Sequence, residues 1–274
     1  MFRQLFSIFC FLTISTFSFS WPFEEVNSWV PSYVERNIIV EEGFLPDILK
    51  VLPALQSKIP YISLGEYPTP VKKLENLEEE VGAEGIYFKD DGIGAPYFAG
   101  NKIRKLEFLL ADAVYSEAQS IIAIGDAGSN CVLATLAQAK CVGFDDVYCL
   151  LGPQLNTSYL RRNLLLDLFY DGIIKYYQSE EEQEDSIWEH SNKLQNSYIV
   201  SWGGTCPLGC LGYMNAAFEL KKQITEGLLP EPDYIYIPLG STGTAAGLIL
   251  GVKLAGLKSK IIPVAIRAYP KINL

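Results

Sequence analysis

Short, continuously apolar segments that alternate with helical patterns constrain this chain more than any other feature. Ser120-Ile-Ile-Ala-Ile-Gly125, Asp146-Val-Tyr-Cys-Leu-Leu151, Ile173 to Tyr177, Tyr198 to Trp202, Tyr234 to Pro238 and Ile261 to Ile266 are too short for helices. They also lack the alternation of a half-exposed strand. A strand that is apolar throughout must be covered on both faces, as happens in a parallel sheet flanked by helices. Helical spacing fills the gaps: Lys102 to Glu117, a segment ending near Val142, Thr157 to Tyr170, Glu181 to Asn196, Leu208 to Thr225, and a run to about Ala255. The expectation is an α/β fold with mainly parallel, helix-covered sheets. A chain of 274 residues with 49% hydrophobic content can build one large core or two smaller ones.

Charge and composition remove several functions. Lys and Arg number 22 against 32 Asp and Glu, so a nucleic-acid backbone, which requires a basic surface, is not the expected partner. The acidic run Glu180, Glu181, Glu182, Glu184 and Asp185 reads as a solvated helix start. His190 is the single histidine and reads as an exposed helix residue, which leaves serine–histidine catalysis and histidine-built zinc sites without material. Cys10, Cys131, Cys141, Cys149, Cys206 and Cys210 are spaced irregularly and give no disulfide framework or metal motif. Cys206 and Cys210 read as small packing residues.

The N-terminus differs. Met1-Phe-Arg3-Gln precedes an uncharged run from Leu5 to Ser20 that resembles a secretory signal with a poor cleavage site. It is short and rich in Ser and Thr for a spanning helix, so no stable membrane span is expected. The segment nevertheless suggests export or anchoring. Apolar clusters between Trp21 and Pro60, such as Phe44 to Leu52, suggest short helices in an arm, and Tyr67-Pro-Thr-Pro-Val71 reads as extended.

In such folds ligands bind beyond the carboxyl ends of strands. Polar turns at Asp126 to Asn130, Gly203 to Thr205 and Gly240 to Thr244 all follow apolar strands, so they can meet at one cleft. In the last of these, Gly240 and Gly243 let the backbone approach an anion, the next helix offers unpaired amides, and Ser241, Thr242 and Thr244 add hydroxyls. The spacing fits neither a dinucleotide fingerprint nor a Walker loop. Gly100-Asn101-Lys102 places a lysine in a tight turn at a helix start, with Arg104 and Lys105 nearby; the alternative is a plain basic helix face. Burial and neighbouring positive charge would lower the pKa of a catalytic lysine. Ser129 and Asn130 stand at another helix start, where an N-cap is the simpler role. A reactive amine together with a phosphate cradle is the minimum equipment for holding pyridoxal phosphate.

These motifs in this order resemble the D-cysteine desulfhydrase and 1-aminocyclopropane-1-carboxylate deaminase group of fold type II pyridoxal phosphate enzymes. The matching residues are Tyr67-Pro-Thr-Pro-Val71, Gly100-Asn-Lys102-Ile-Arg-Lys-Leu-Glu107, Gly128-Ser-Asn130, Arg161-Arg-Asn-Leu-Leu-Leu-Asp167, Gly203 to Tyr213 and Gly240 to Gly247. The resemblance implies that Lys102 forms the Schiff base and moves protons, and that Asn130 bonds the cofactor's phenolic oxygen. It further implies that Ser129 faces the substrate, and that Gly240, Ser241, Thr242, Gly243 and Thr244 hold the phosphate. A small amino acid is the implied substrate. D-cysteine is favoured, giving sulfide, pyruvate and ammonia; ring opening of the cyclopropane substrate is the alternative. A homodimer working in the cytoplasm is also implied.

The same resemblance implies two domains. A leader (1–20) and a helical arm (21–60) precede a large cofactor domain (61–104 and 200–274), into which a small domain (105–199) is inserted. Family members continue for several elements past the position of Leu274, so the large domain is expected to be incomplete. A catalytically inactive truncated remnant is then a further reading, and an exported amino-acid binding protein a third. Two local departures stand out: Ala99 where a second glycine is usual, and Cys131 where His or Gln is common.

Overall fold

The structure, a computed structural model, describes residues 45–95, 98 and 100–266. The signal-like leader, most of the arm, Ala99 and the segment after Ile266 lie outside the described residues.

Three sheets organise the described chain. β1 (Val71–Lys73) and β2 (Tyr87–Lys89) pair antiparallel. β3 (Ser120–Asp126), β4 (Asp146–Gly152), β5 (Ile173–Tyr176) and β6 (Ser197–Val200) form a wholly parallel sheet in the order β5-β4-β3-β6. β7 (Tyr234–Leu239) and β8 (Lys260–Ala265) form a parallel pair. The helices are α1 (Asp47–Val51), α2 (Glu75–Val81), α3 (Ile103–Tyr115), α4 (Asn130–Val142), α5 (Ser158–Phe169), α6 (Glu180–Lys193), α7 (Pro207–Thr225) and α8 (Gly243–Leu254).

The expected strands and helices are present within a few residues of their anticipated ends. One end differs for a physical reason. Trp202 does not continue β6; it opens the 3-10 turn Trp202–Gly204, because Gly203 at φ 62° turns the chain out of the sheet. His190 is half-buried on α6, not free in solvent: its Nδ1 lies 2.9 Å from the Ser186 carbonyl and its ring meets Tyr148 edge-on.

β3 explains why apolar runs predicted a covered sheet. Ile121 and Ala123 face a core shared with Leu106 and Leu110 of α3 and Val132 and Leu136 of α4. Ile122 and Ile124 face the opposite side, against Leu150 and Ile187 of α6. All four side chains are essentially inaccessible. Burial of each large aliphatic side chain contributes about 1.5–3 kcal/mol. A second core joins α7, α8 and β7 through Tyr213, Leu220, Ile235, Ile237, Leu248 and Val252, with Ile261 of β8 packed against it.

α7 is the spine between these regions, and glycines set its spacing. A methyl group on Gly212 would overlap the Arg104 carbonyl of α3, and one on Gly247 of α8 would sit 2.5 Å from the Cys210 carbonyl of α7. Bare backbone therefore packs on bare backbone on both sides of α7.

A buried ionic cluster fixes the start of α3. Arg104, 1% exposed, donates to both oxygens of Asp91 and both of Glu219, and also to Thr69 Oγ1. Lys89 donates to Glu219, Thr69 and Gln223. Two cations face two anions, so the cluster is neutral. Burial pushes the Asp91 and Glu219 carboxyls up, but the Arg104 guanidinium, the Lys89 charge and the hydrogen bonds they accept together outweigh it and hold both below the usual range. The turn preceding Arg104 is thereby anchored to α7 and to the segment after β2.

Candidate active site

The three polar turns converge as expected. A cleft of about 810 Å³ opens past the ends of β3, β6 and β7. Its walls include Lys102, Ser129, Asn130, Gly203, Gly240 and Ser241. Glu180 and Glu184 stand on the same wall, so the acidic run that read as a plain solvated helix start also rims the cleft. A separate hollow of about 290 Å³ between β2 and β7 is lined largely by apolar side chains. Its Lys89 and Asp91 are engaged in the ionic cluster, which leaves the larger cleft as the place for chemistry.

Lys102 ends the 3-10 turn Gly100–Lys102 and occupies the N-cap position of α3 without a side-chain capping bond. Gly100 adopts φ 52°, a left-handed conformation that suits glycine. The Lys102 amine donates to Asn101 Oδ1 at 3.0 Å. Between Lys102, Asn101 and the turn from Gly240 to Thr244 lies a niche of about 80 Å³.

That niche is shaped for an anion. α8 opens without a side-chain cap, whereas Ser129, Thr157, Ser179 and Cys206 cap α4, α5, α6 and α7. Although the Gly243 amide donates to the Ser241 carbonyl, the first-turn amides after it lack a side-chain cap and are available to a phosphate. A methyl group at Gly243 would lie 2.7 Å from Thr205 Oγ1 and 2.8 Å from Lys105 Nζ, so only glycine lets the turn sit this close. Thr205 Oγ1 also braces the turn through the Ser241 carbonyl at 2.8 Å. Thr242 adopts φ 67° and ψ −31°, a strained conformation for a β-branched residue.

Lys105 is the residue that sequence reasoning passed over. It is 1% exposed, and its amine donates to the Gly203 carbonyl at 2.8 Å beneath Gly243. Burial, and then the neighbouring Lys102 charge, push its pKa down to about 8. The two lysines divide the space: Lys102 lines the cleft and Lys105 underlies the cradle. Their separation of three positions puts both on one side of the helix start, but nothing in that spacing distinguishes Lys105 from an ordinary helical lysine.

On the facing wall Ser129 performs the capping role, accepting from the Val132 amide at 3.3 Å, and it also lines the cleft. Its hydroxyl hydrogen remains available as a donor. Asn130 is exposed to the cleft and accepts a hydrogen bond from Asn163 Nδ2 at 3.0 Å. Asn163 is wholly buried and also donates to the Gly128 carbonyl at 2.8 Å. Cys131 is buried among the cleft residues, and burial pushes its thiol up. Cys206 and Cys210 are unbridged; the sulfur of Cys206 caps α7 by accepting from the Gly209 amide.

The donor set fits pyridoxal phosphate. The Gly243 cradle, the uncapped α8, the hydroxyls of Ser241 and Thr244 and the Lys105 ammonium suit a dianion. Lys102 stands at the edge of the same niche with a primary amine. Among the described residues no cluster of His, Cys, Asp or Glu could hold a metal ion, and no helix is long and apolar enough to cross a membrane.

Comparison with known proteins agrees. A family model described as pyridoxal-phosphate dependent enzyme matches residues 62–273. A Pyrococcus furiosus protein provisionally named 1-aminocyclopropane-1-carboxylate deaminase is 35% identical over 222 residues, which cover 79% of this chain and 66% of the relative. The D-cysteine desulfhydrase of Salmonella paratyphi C is 34% identical over 214 residues, covering 72% of this chain and 61% of the relative. The chain thus spans just under two thirds of the length of these relatives. The crystal structure of an ACC deaminase homologue superimposes with a TM-score of 0.68 at 30% identity, covering 83% of this chain and 68% of that one.

Proposed function

Because the chain belongs to the pyridoxal-phosphate-dependent enzyme family, we propose that its cleft binds that cofactor and catalyses the deamination of a small amino acid, D-cysteine foremost. The observation that carries this reading is the niche shared by Lys102 and the turn from Gly240 to Thr244.

Bound pyridoxal phosphate would supply an aldehyde for amine exchange and a ring that withdraws the electron pair left at the substrate's α-carbon. The protein's own tasks follow from its residues. Ser241, Thr244, the first amides of α8 and Lys105 hold the phosphate. Asn130 orients the ring. The Ser129 hydroxyl meets the substrate carboxylate. The Lys102 amine would take the substrate's α-proton, and Asn101 would hold that amine in place. With D-cysteine, loss of the β-thiolate gives sulfide.

Relatives of comparable identity carry both names, so 1-aminocyclopropane-1-carboxylate is the second substrate to test. The same family supports a homodimer as the working assembly. The decisive experiment is the visible spectrum of the purified chain mixed with pyridoxal phosphate, compared with Lys102→Ala. A band that depends on Lys102 supports the reading, and no band in the folded wild type overturns it. Sulfide released from D-cysteine, against ammonia released without sulfide from the cyclopropane substrate, then separates the two activities.

A further inference from the structure

Asn130 reaches the cleft with two chemically different ends, an oxygen that accepts and an amino group that donates. Which end faces a ligand is decided by what holds the other. Asn163 settles this through a chain of donors with no free choice in it. The Gly128 carbonyl can only accept, so the Asn163 group 2.8 Å away must be its amino group. The other end of Asn163 is then its oxygen. That oxygen receives Nε and Nη2 of Arg162 at 3.2 and 3.0 Å, and a guanidinium can only donate. Both ends of Asn163 are thus determined independently, and the two assignments agree. The second hydrogen of its amino group points to Asn130, where the atom 3.0 Å away must accept. The Asn130 oxygen is consumed inside the protein, and its amino group is left for the cleft.

We infer that Asn163 is a positioning residue that locks Asn130 as a hydrogen-bond donor towards the cofactor's phenolic oxygen. Arg162 braces Asn163 from the surface by stacking over the Tyr159 ring at 4.6 Å while it donates inward. Asn163 is 0% exposed and touches no ligand itself. It reaches the cleft through two bonds, one that orients Asn130 and one that holds the Gly128 carbonyl of the same turn. A donor at that point stabilises negative charge on the phenolic oxygen; an acceptor there would repel it. The inference rests on the reading that Asn130 meets this cofactor.

The test uses Asn163→Asp, nearly identical in shape but, when ionised, able only to accept. Asn130 would then have to turn its amino group to residue 163 and its oxygen to the cleft. The expected result is at least tenfold weaker pyridoxal phosphate binding and a shifted pH midpoint of the visible band. Asn130→Ala should reproduce both changes, and the double variant should be no worse than Asn130→Ala alone. Wild-type affinity and pH midpoint in Asn163→Asp, or losses that add in the double variant, would overturn the inference. Should Asn163→Asp fail to fold, side-chain amide exchange in the wild type decides instead. The Asn130 amino protons should exchange rapidly without cofactor and slowly with it, and those of Asn163 slowly in both. Asn130 protons already protected in the free protein would place its amino group inside, contrary to the inference. Failure of the cofactor reading is distinguishable, because the wild type would then show no visible band while the exchange rates of the free protein still report the orientation.

Discussion

Arg104 and Glu219 are joined by two hydrogen bonds, from Nη1 to Oε2 at 2.9 Å and from Nη2 to Oε1 at 3.0 Å. The same guanidinium holds Asp91, whereas Glu219 also has Lys89, so removing Arg104 leaves two carboxylates to share one cation. Arg104→Ala should therefore cost about 3–5 kcal/mol, because it strands buried charges. Arg104→Lys should cost less than Arg104→Ala but cannot restore the paired geometry. By contrast, Lys193→Ala, which breaks an exposed pair with Glu189 on α6, should change stability by less than about 1 kcal/mol. Urea denaturation at neutral pH measures all three, and equal losses at 104 and 193 would refute the ranking.

Two other buried carboxyls titrate in the opposite sense to Asp91 and Glu219. Burial pushes Glu107 from 4.5 up to about 7, against the lowering influence of the bonds it accepts from the Gly65 and Leu64 amides and the Tyr67 hydroxyl. Burial alone pushes Asp167 from 3.8 up to about 7, and its Oδ1 has no partner among the described residues. A raised folded pKa means that the folded state binds the proton more tightly than the unfolded state. The contribution of each group is full below its unfolded pKa and is lost as pH rises to about 7. Each contributes a slope of at most about 1.4 kcal/mol per pH unit in that window. Asp167→Asn and Glu107→Gln should each flatten the fall in stability between pH 5 and 7 (roughly the window the linkage relation defines). An unchanged slope in Asp167→Asn would show that its carboxyl is ionised throughout.

Gly243→Ala should spare the fold more than the cradle. The added methyl meets Thr205 Oγ1 and the Lys105 amine, and the turn must retreat from both. Pyridoxal phosphate affinity should fall at least tenfold, and thermal stability by a few degrees or less, about the effect of 1 kcal/mol or under. A fluorescence titration reads the first and a melting curve the second. Full retention of affinity would remove Gly243 from the cradle.

Lys105→Met keeps the volume and removes the charge. It should weaken binding of the phosphate-bearing cofactor roughly tenfold or more, the scale of a charge-assisted hydrogen bond. The visible band should still form at saturating cofactor, because Lys102 is intact. In the wild type, affinity should decline as pH rises past about 8, where the Lys105 amine loses its proton, and Lys105→Met should be free of that decline. A variant with the wild-type pH profile would separate Lys105 from the anion.

Much of this architecture was legible because burial on both faces writes an uninterrupted apolar run. β3 and β4 are such runs, and their ends were anticipated within a residue. β1 was not visible: Val71–Lys73 is short, carries two lysines and pairs with a single neighbour. Lys102 and the turn from Gly240 to Thr244 stood out through glycines that only special backbone positions need. Lys105 did not, because its partner carbonyl is 98 positions away and a buried lysine looks like any other in a helical pattern. Asn163 was hidden for the same reason: its link to Asn130 crosses 33 positions between two helices. Sequence patterns report which face is wet. They do not report which distant polar atom waits on the dry one.

The glycine contacts of α7 carry a consequence for how the site can change over time. Lys102 rides on the start of α3 and the cradle on the start of α8, and each helix makes its tightest approach to α7 where a glycine meets a backbone carbonyl. Side chains can be exchanged, can adopt new rotamers and can respond to temperature; a carbonyl pressed on a glycine has none of these freedoms. The span of the site is therefore gauged by a ruler with no adjustable marks. Residues around the cleft could drift to suit a different amino acid while the amine and the anion seat keep the separation that this ruler dictates.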